Sequence, residues 1–100
     1  MEAITQLIDG TYSVSLQGRF TFSDNPKFRE IILDKIRGNE VKQIVLNMDK
    51  LEFVDSAALG MLLLGYDEAK EHHKSLSLQG VTGQVKRIFN MARFEQFFSY

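Results

Sequence analysis

The sequence predicts an α/β fold in which a mixed β-sheet carries helices packed against it, in the order β-β-α-β-α-β-α. Three observations point there. Segments with a two-residue hydrophobic period, or a dense β-branched run, alternate along the chain with segments whose apolar residues recur at three and four. Strand-helix-strand units of that kind return as right-handed parallel crossovers, while the first two strands lie close enough in sequence to form an antiparallel hairpin. Finally, 100 residues suit one hydrophobic core and leave too little interior for two, so residues 1–100 read as a single domain.

Ile4 to Ile8 is a weakly apolar segment that ends at the turn dipeptide Asp9-Gly10. Tyr12, Val14 and Leu16 then alternate with Ser13, Ser15 and Gln17, completing a hairpin. Beyond Gly18, the polar run Ser23-Asp24-Asn25 precedes Pro26, a residue suited to the first helical position, and Phe28, Ile32, Leu33 and Ile36 follow at helical spacing. A first helix is expected from Pro26 to Arg37, stopped by Gly38-Asn39. Val41 to Met48 has the β-branched and aliphatic composition of a central strand covered on both faces, and Asp49 to Asp55 reads as the loop after it. Leu59, Leu62, Leu63, Tyr66, Ala69 and His73 mark the main helix. Leu76 and Leu78 alternate with serines as a further strand. Thr82 can cap a third helix with Val85, Ile88, Phe89 and Ala92 buried, and Phe94, Phe97 and Phe98 pack as a terminal segment.

Composition removes several function classes. Hydrophobic residues at 44% and charged residues at 25% are the profile of a folded domain, and 12 basic against 13 acidic residues leave no field to gather nucleic acid or anionic lipid. The absence of cysteine removes disulfides, thiolate nucleophiles and cysteine zinc sites, and fits a cytoplasmic protein. The longest apolar run, Leu59 to Leu64, includes Gly60 and falls far short of the roughly 20 residues of a membrane-spanning helix, so membrane insertion is not expected. Met1 to Leu7 shows no signal peptide. There is no P-loop, no serine–histidine pairing and no metal spacing; adjacent His72 and His73 point about 100° apart on a helix. The expectation is a protein without catalytic residues, metal or cofactor.

The informative stretch is Phe53-Val54-Asp55-Ser56-Ala57-Ala58-Leu59-Gly60. Asp55 and Ser56 lie where a loop enters a helix, so one of them caps the free N–H groups of the first turn. A phosphate on Ser56 would face those same groups and the positive end of the helix dipole, a setting that accepts an anion without unfolding the domain. With Leu59, Leu62, Leu63 and Tyr66 turned to the core, Ala57, Met61 and Leu64 point outward, and with small Gly60 they make a modest docking strip that turns acidic at Asp67, Glu68 and Glu71.

Phe53-Val54-Asp55-Ser56 followed by Leu59-Gly60 resembles the signature of STAS domains, in particular the stand-alone anti-sigma factor antagonists of bacterial partner-switching systems. The resemblance extends over essentially the whole chain, including Gly18 after the second strand and Gly80-Val81 after Leu76-Leu78. It departs from the family at Ala58, often glycine there, and at Thr21 and Asn47, where the family often has acids. Gly18 to Asp24 together with Ala57 to Leu64 is similar to a Gram-negative branch of biofilm regulators, the SypA-like proteins.

The resemblance implies that Ser56 is phosphorylated by a serine kinase, often itself the anti-sigma-type partner, and restored by a PPM-type phosphatase. It implies a partner surface of Asp55, Ser56, Ala57, Gly60, Met61 and Leu64, and a role in signal transduction and transcription regulation. The alternative role on the same fold is a cytoplasmic accessory subunit of a transporter, which needs no modified serine.

Overall fold

The computed structural model describes residues 1–100 as a four-stranded sheet with strands in spatial order β1-β2-β3-β4. β1 (Glu2–Ile8) and β2 (Thr11–Phe20) form the expected antiparallel hairpin, Ile8 facing Thr11 across Asp9-Gly10. Both turn residues have positive φ, 49° and 84°, the backbone of a two-residue type I′ turn, which explains why Asp-Gly stands there. β3 (Gln43–Val54) and β4 (Ser75–Gln79) add in parallel, so the sheet is mixed.

The first helical run, α1, opens as a 3₁₀ turn (Phe22–Asp24), becomes α-helix (Asn25–Phe28), widens to π geometry (Arg29–Leu33) and closes as α-helix (Asp34–Arg37). It starts four residues before the expected Pro26. The cause is Asp24, whose carboxylate accepts the Thr21 N–H at 2.8 Å and so caps the chain earlier than the polar run suggested. The π segment has its own device: the Tyr12 hydroxyl on β2 donates to the Ile31 carbonyl at 2.8 Å, from an otherwise buried ring. α2 (Ser56–Glu71) is the long central helix, α3 (Gly83–Met91) follows β4, and a 3₁₀ turn (Phe94–Gln96) ends the ordered elements.

Helices cover one face of the sheet. Tyr12, Val14 and Leu16 of β2 with Ile44, Leu46 and Met48 of β3 are buried under them. Ser13, Ser15 and Val45 on the reverse face are half-buried and Asn47 is exposed. The expected double coverage of Val41–Met48 is therefore corrected to single coverage. The strand itself begins at Gln43 and runs on to Val54, through the stretch read as a loop. Its pattern breaks because Ser15 pairs with Asn47 but Gln17 with Lys50, so β3 carries an extra residue in a bulge and exposes Asp49 and Lys50 in succession.

The core joins all layers. Phe20 stacks on Phe28 at 5.6 Å, Phe89 tilts against Phe94 at 4.8 Å, and Tyr66 of α2 meets Phe97 and Phe98 edge-on at 5.5 and 5.4 Å. Of the third helix's expected stripe, Val85 and Phe89 are buried, Ile88 is half-buried and Ala92 is exposed just beyond its end.

Burial pushes the Tyr12 hydroxyl above its usual value of 10.0, with hydrogen bonding to Thr5 acting the other way. A raised value in the fold means that the unfolded chain releases this proton first. The corresponding stability is complete below about pH 10 and declines as the pH rises through that point. Tyr12→Phe should cost about 1 kcal/mol at neutral pH, because the Ile31 carbonyl loses its donor, and should flatten the alkaline decline. Urea unfolding at neutral and alkaline pH reads both effects.

Candidate functional site

The start of α2 is built from the ends of three elements. β3 delivers Val54 to the core and Asp55 to the rim, and the Asp55 N–H is tied to the Phe20 carbonyl at the end of β2 at 3.3 Å. Asp55, with extended backbone, is the N-cap: its Oδ1 accepts the Ala58 N–H at 2.8 Å. Its Oδ2 accepts the Phe22 N–H at 3.1 Å, so one carboxylate pins the entrances of both α1 and α2. Of the two residues that could have capped this helix, Asp55 does so.

Ser56 is thereby free of the capping role. It is exposed, its hydroxyl makes no hydrogen bond, and the N–H groups of Ser56 and Ala57 have no acceptor in the protein. Unused N–H groups at the first turn of a 16-residue helix present partial positive charge to whatever lies beside that hydroxyl. The two carboxylates at the helix entrances are hydrogen-bonded: Asp55 accepts two backbone N–H groups, and Asp24 accepts the Thr21 N–H and the amino group of Met1.

The outward face of α2 differs from the expected one by a small rotation. Its buried residues are Ala58, Met61, Leu62, Gly65 and Ala69, so Met61, expected on the docking strip, is 5% exposed and belongs to the core. The helix sits on its small residues: a Cβ placed on Gly65 would lie 3.3 Å from the Leu76 side chain and 3.5 Å from Phe28. With Ala58 buried and Gly65 in close approach, Met61 lies on the inward face and Leu59, Leu63 and Tyr66 are half-buried at the flanks. What remains outside is Ser56, Gly60 and Leu64, with Ala57 half-buried beside them, then Asp67 and Glu71.

One residue of this surface was not anticipated. Phe22 is 72% exposed, held on the 3₁₀ turn by the hydrogen bond from its N–H to Asp55. The available signal was an aromatic between Thr21 and Ser23 in a stretch otherwise composed of turn and capping residues. Thr21 and Asn47, the departures from family acids, make local bonds: Thr21 Oγ1 lies 3.0 Å from Ser23 Oγ, and Asn47 Oδ1 accepts the Asp49 N–H at 3.1 Å.

The far end of α2 has a different character. Arg37 at the end of α1 reaches Glu68 with Nη2 to Oε1 at 2.8 Å, and this guanidinium holds the Glu68 carboxyl below its usual range. Glu68, Glu71 and His72 come within metal-binding reach of one another, but Glu68 is committed to Arg37 and the His72 ring to the Glu68 carbonyl at 2.8 Å. No helix is long and apolar enough to cross a membrane.

The family model described as "Mlab, STAS domain" matches residues 5–99. A STAS-domain containing protein of Pseudomonas aeruginosa is 31% identical over 86 residues, which is 86% of this chain and 83% of that one. An anti-sigma-B factor antagonist of Staphylococcus aureus is 25% identical over 91 residues, 91% of this chain and 82% of its own. In structure, the chain is similar to the Bacillus cell fate determinant SpoIIAA in its phosphorylated form. The TM-score is 0.78 with 18% identity, covering 98% of this chain and 89% of that one.

Proposed function

The chain belongs to the STAS domain family, and from that premise we propose that it is a partner-switching regulator controlled by phosphorylation of Ser56. It binds an anti-sigma-type protein or other serine kinase while Ser56 is unmodified. It releases that partner when the kinase adds phosphate, and a PPM-type phosphatase restores it. The chain itself performs no catalysis in this scheme and acts in the cytoplasm. Control of transcription, with biofilm formation as the output of a SypA-like branch, is the physiological form of the same reading.

The observation that carries it is the division of labour at the helix entrance. Asp55 does the capping, so the Ser56 hydroxyl is exposed with nothing structural to do and two unused N–H groups beside it. A phosphate would bring about −1.5 to −2 charges, more than the single charge of the Asp55 carboxylate that caps the helix beside it. The new charge would therefore dominate the local field, while the free N–H groups keep the fold intact. The partner surface comprises Asp55, Ser56, Ala57, Gly60 and Leu64, extended by Phe22.

The test is the mass of the chain isolated from its own cells under varied growth conditions, with fragmentation to locate any modification. A phosphorylated fraction confined to Ser56, changing with condition, is the expected result. A chain unmodified at Ser56 under every condition overturns the switch and favours a constitutive accessory subunit of a transporter.

A further inference from the structure

We infer that β1 is a self-association edge: two copies of this chain pair their β1 strands antiparallel about a two-fold axis near Thr5, joining two four-stranded sheets into one. β1 is one of the sheet's two edge strands, bonded to β2 on one side and to nothing on the other; with seven residues it is longer than the opposite edge, β4, which has five. A free edge of this length is an open template, and proteins that must stay monomeric blunt it with lysine, proline or a bulge. β1 has none of these. Its seven residues, Glu-Ala-Ile-Thr-Gln-Leu-Ile, pair with β2 in unbroken register and carry a single charge. Three of the seven large hydrophobic side chains exposed on the whole protein, Ile4, Leu7 and Ile8, sit on this one strand.

The hairpin decides which groups face outward. Ile8 and Thr11 close the two-residue turn as a hydrogen-bonded pair, so the even-numbered residues of β1 direct their N–H and C=O groups to β2. Ala3, Thr5 and Leu7 therefore direct theirs to the free edge. An axis at Thr5 sets Thr5 against Thr5 and Ala3 against Leu7 of the other copy, and each such pair exchanges both N–H···O bonds. The large Leu7 then lies beside the small Ala3. Glu2 falls opposite Ile8, so the two acids stand at opposite ends of the joint strand and do not repel. This self-complementarity in side-chain size, with no like charges opposed, selects a second copy as the occupant.

The chain has no cysteine, which makes the test direct. Residues directly opposite in a hydrogen-bonded antiparallel pair have Cα atoms about 5.5 Å apart, inside the disulfide range. In the Thr5→Cys variant, mild oxidation should yield a disulfide dimer in high proportion, and the control Ser77→Cys, exposed on β4, should not. For the cysteine-free chain, light scattering during size exclusion should show a mass rising from one chain toward two with concentration. Thr5→Pro removes an outward N–H and the Thr5 hydroxyl but no backbone bond to β2, so it should keep the native circular dichroism and remain a monomer. A monomer mass for the unaltered chain up to about 1 mM overturns the proposal. So does equal cross-linking of the two cysteine variants, or a folded Thr5→Pro chain that still dimerises.

Discussion

Ser56→Asp is expected to weaken partner binding by about a hundredfold, equivalent to about 2.7 kcal/mol, while Ser56→Ala binds as the unmodified chain does. The alanine removes a hydroxyl that makes no hydrogen bond in the free protein, so neither the fold nor the entrance of α2 changes. The aspartate places a full negative charge where a docked partner must exclude water, and burying such a charge without a counter-ion costs several kcal/mol. Loss of the fold cannot imitate this result, because a carboxylate in the first turn of a helix is stabilising by about 0.3–1 kcal/mol. The two variants therefore separate binding from stability. Affinity is read by calorimetric titration with the protein that co-purifies with the Ser56→Ala chain, and stability by thermal unfolding of each variant. Equal affinities would reject the switch, since a surface indifferent to one buried charge would be indifferent to a regulated one.

The parts of this molecule legible in its sequence are those where local chemistry and tertiary packing agree. Asp9-Gly10 can serve a tight hairpin, and it does; Leu76 and Leu78 alternate with serine as a strand with one buried face should; Asp55-Ser56 begins a helix. Two of the failures, at β3 and on α2, share a cause: packing shifted a pattern out of phase. At β3 the bulge opposite Leu16 interrupts the alternation, so Asp49 to Val54 looks like a loop although it is strand. On α2 hydrophobicity alone favours the leucines, yet the buried face also takes in the small residues Ala58, Gly65 and Ala69, with Gly65 close against Leu76 and Phe28, and Met61 lies on that face. α1 tolerates its π segment because Tyr12, distant in sequence, supplies a donor to Ile31, a contact no local window contains. Phe22 was missed for the opposite reason: its exposure contradicts its hydrophobicity, and only its attachment to Asp55 shows that it belongs to the surface around Ser56.

Phe28→Ala should destabilise the domain by about 3–5 kcal/mol, whereas Phe22→Ala, six positions earlier in the same helical run, should change stability by no more than about 0.5 kcal/mol. Phe28 is fully buried, stacks on Phe20 and lies against Gly65, so it fills the junction of β2, α1 and α2. Its truncation leaves a void lined by a strand and two helices whose backbones cannot close it together, and the cavity adds to the lost burial. Against a total of about 5–15 kcal/mol for a domain of this kind, such a loss brings the chain near unfolding at physiological temperature. Phe22 presents its ring to water, so its removal takes away little that folding had buried; its backbone N–H, which holds Asp55, remains. In urea the Phe28→Ala midpoint should fall sharply with an unchanged slope, and the Phe22→Ala curve should overlay that of the unaltered chain. Sharp destabilisation by Phe22→Ala would mean that its ring supports the helix entrance and is unavailable to a partner. If the curves instead overlay while partner binding weakens, an aromatic kept in water by a rigid turn is there for recognition.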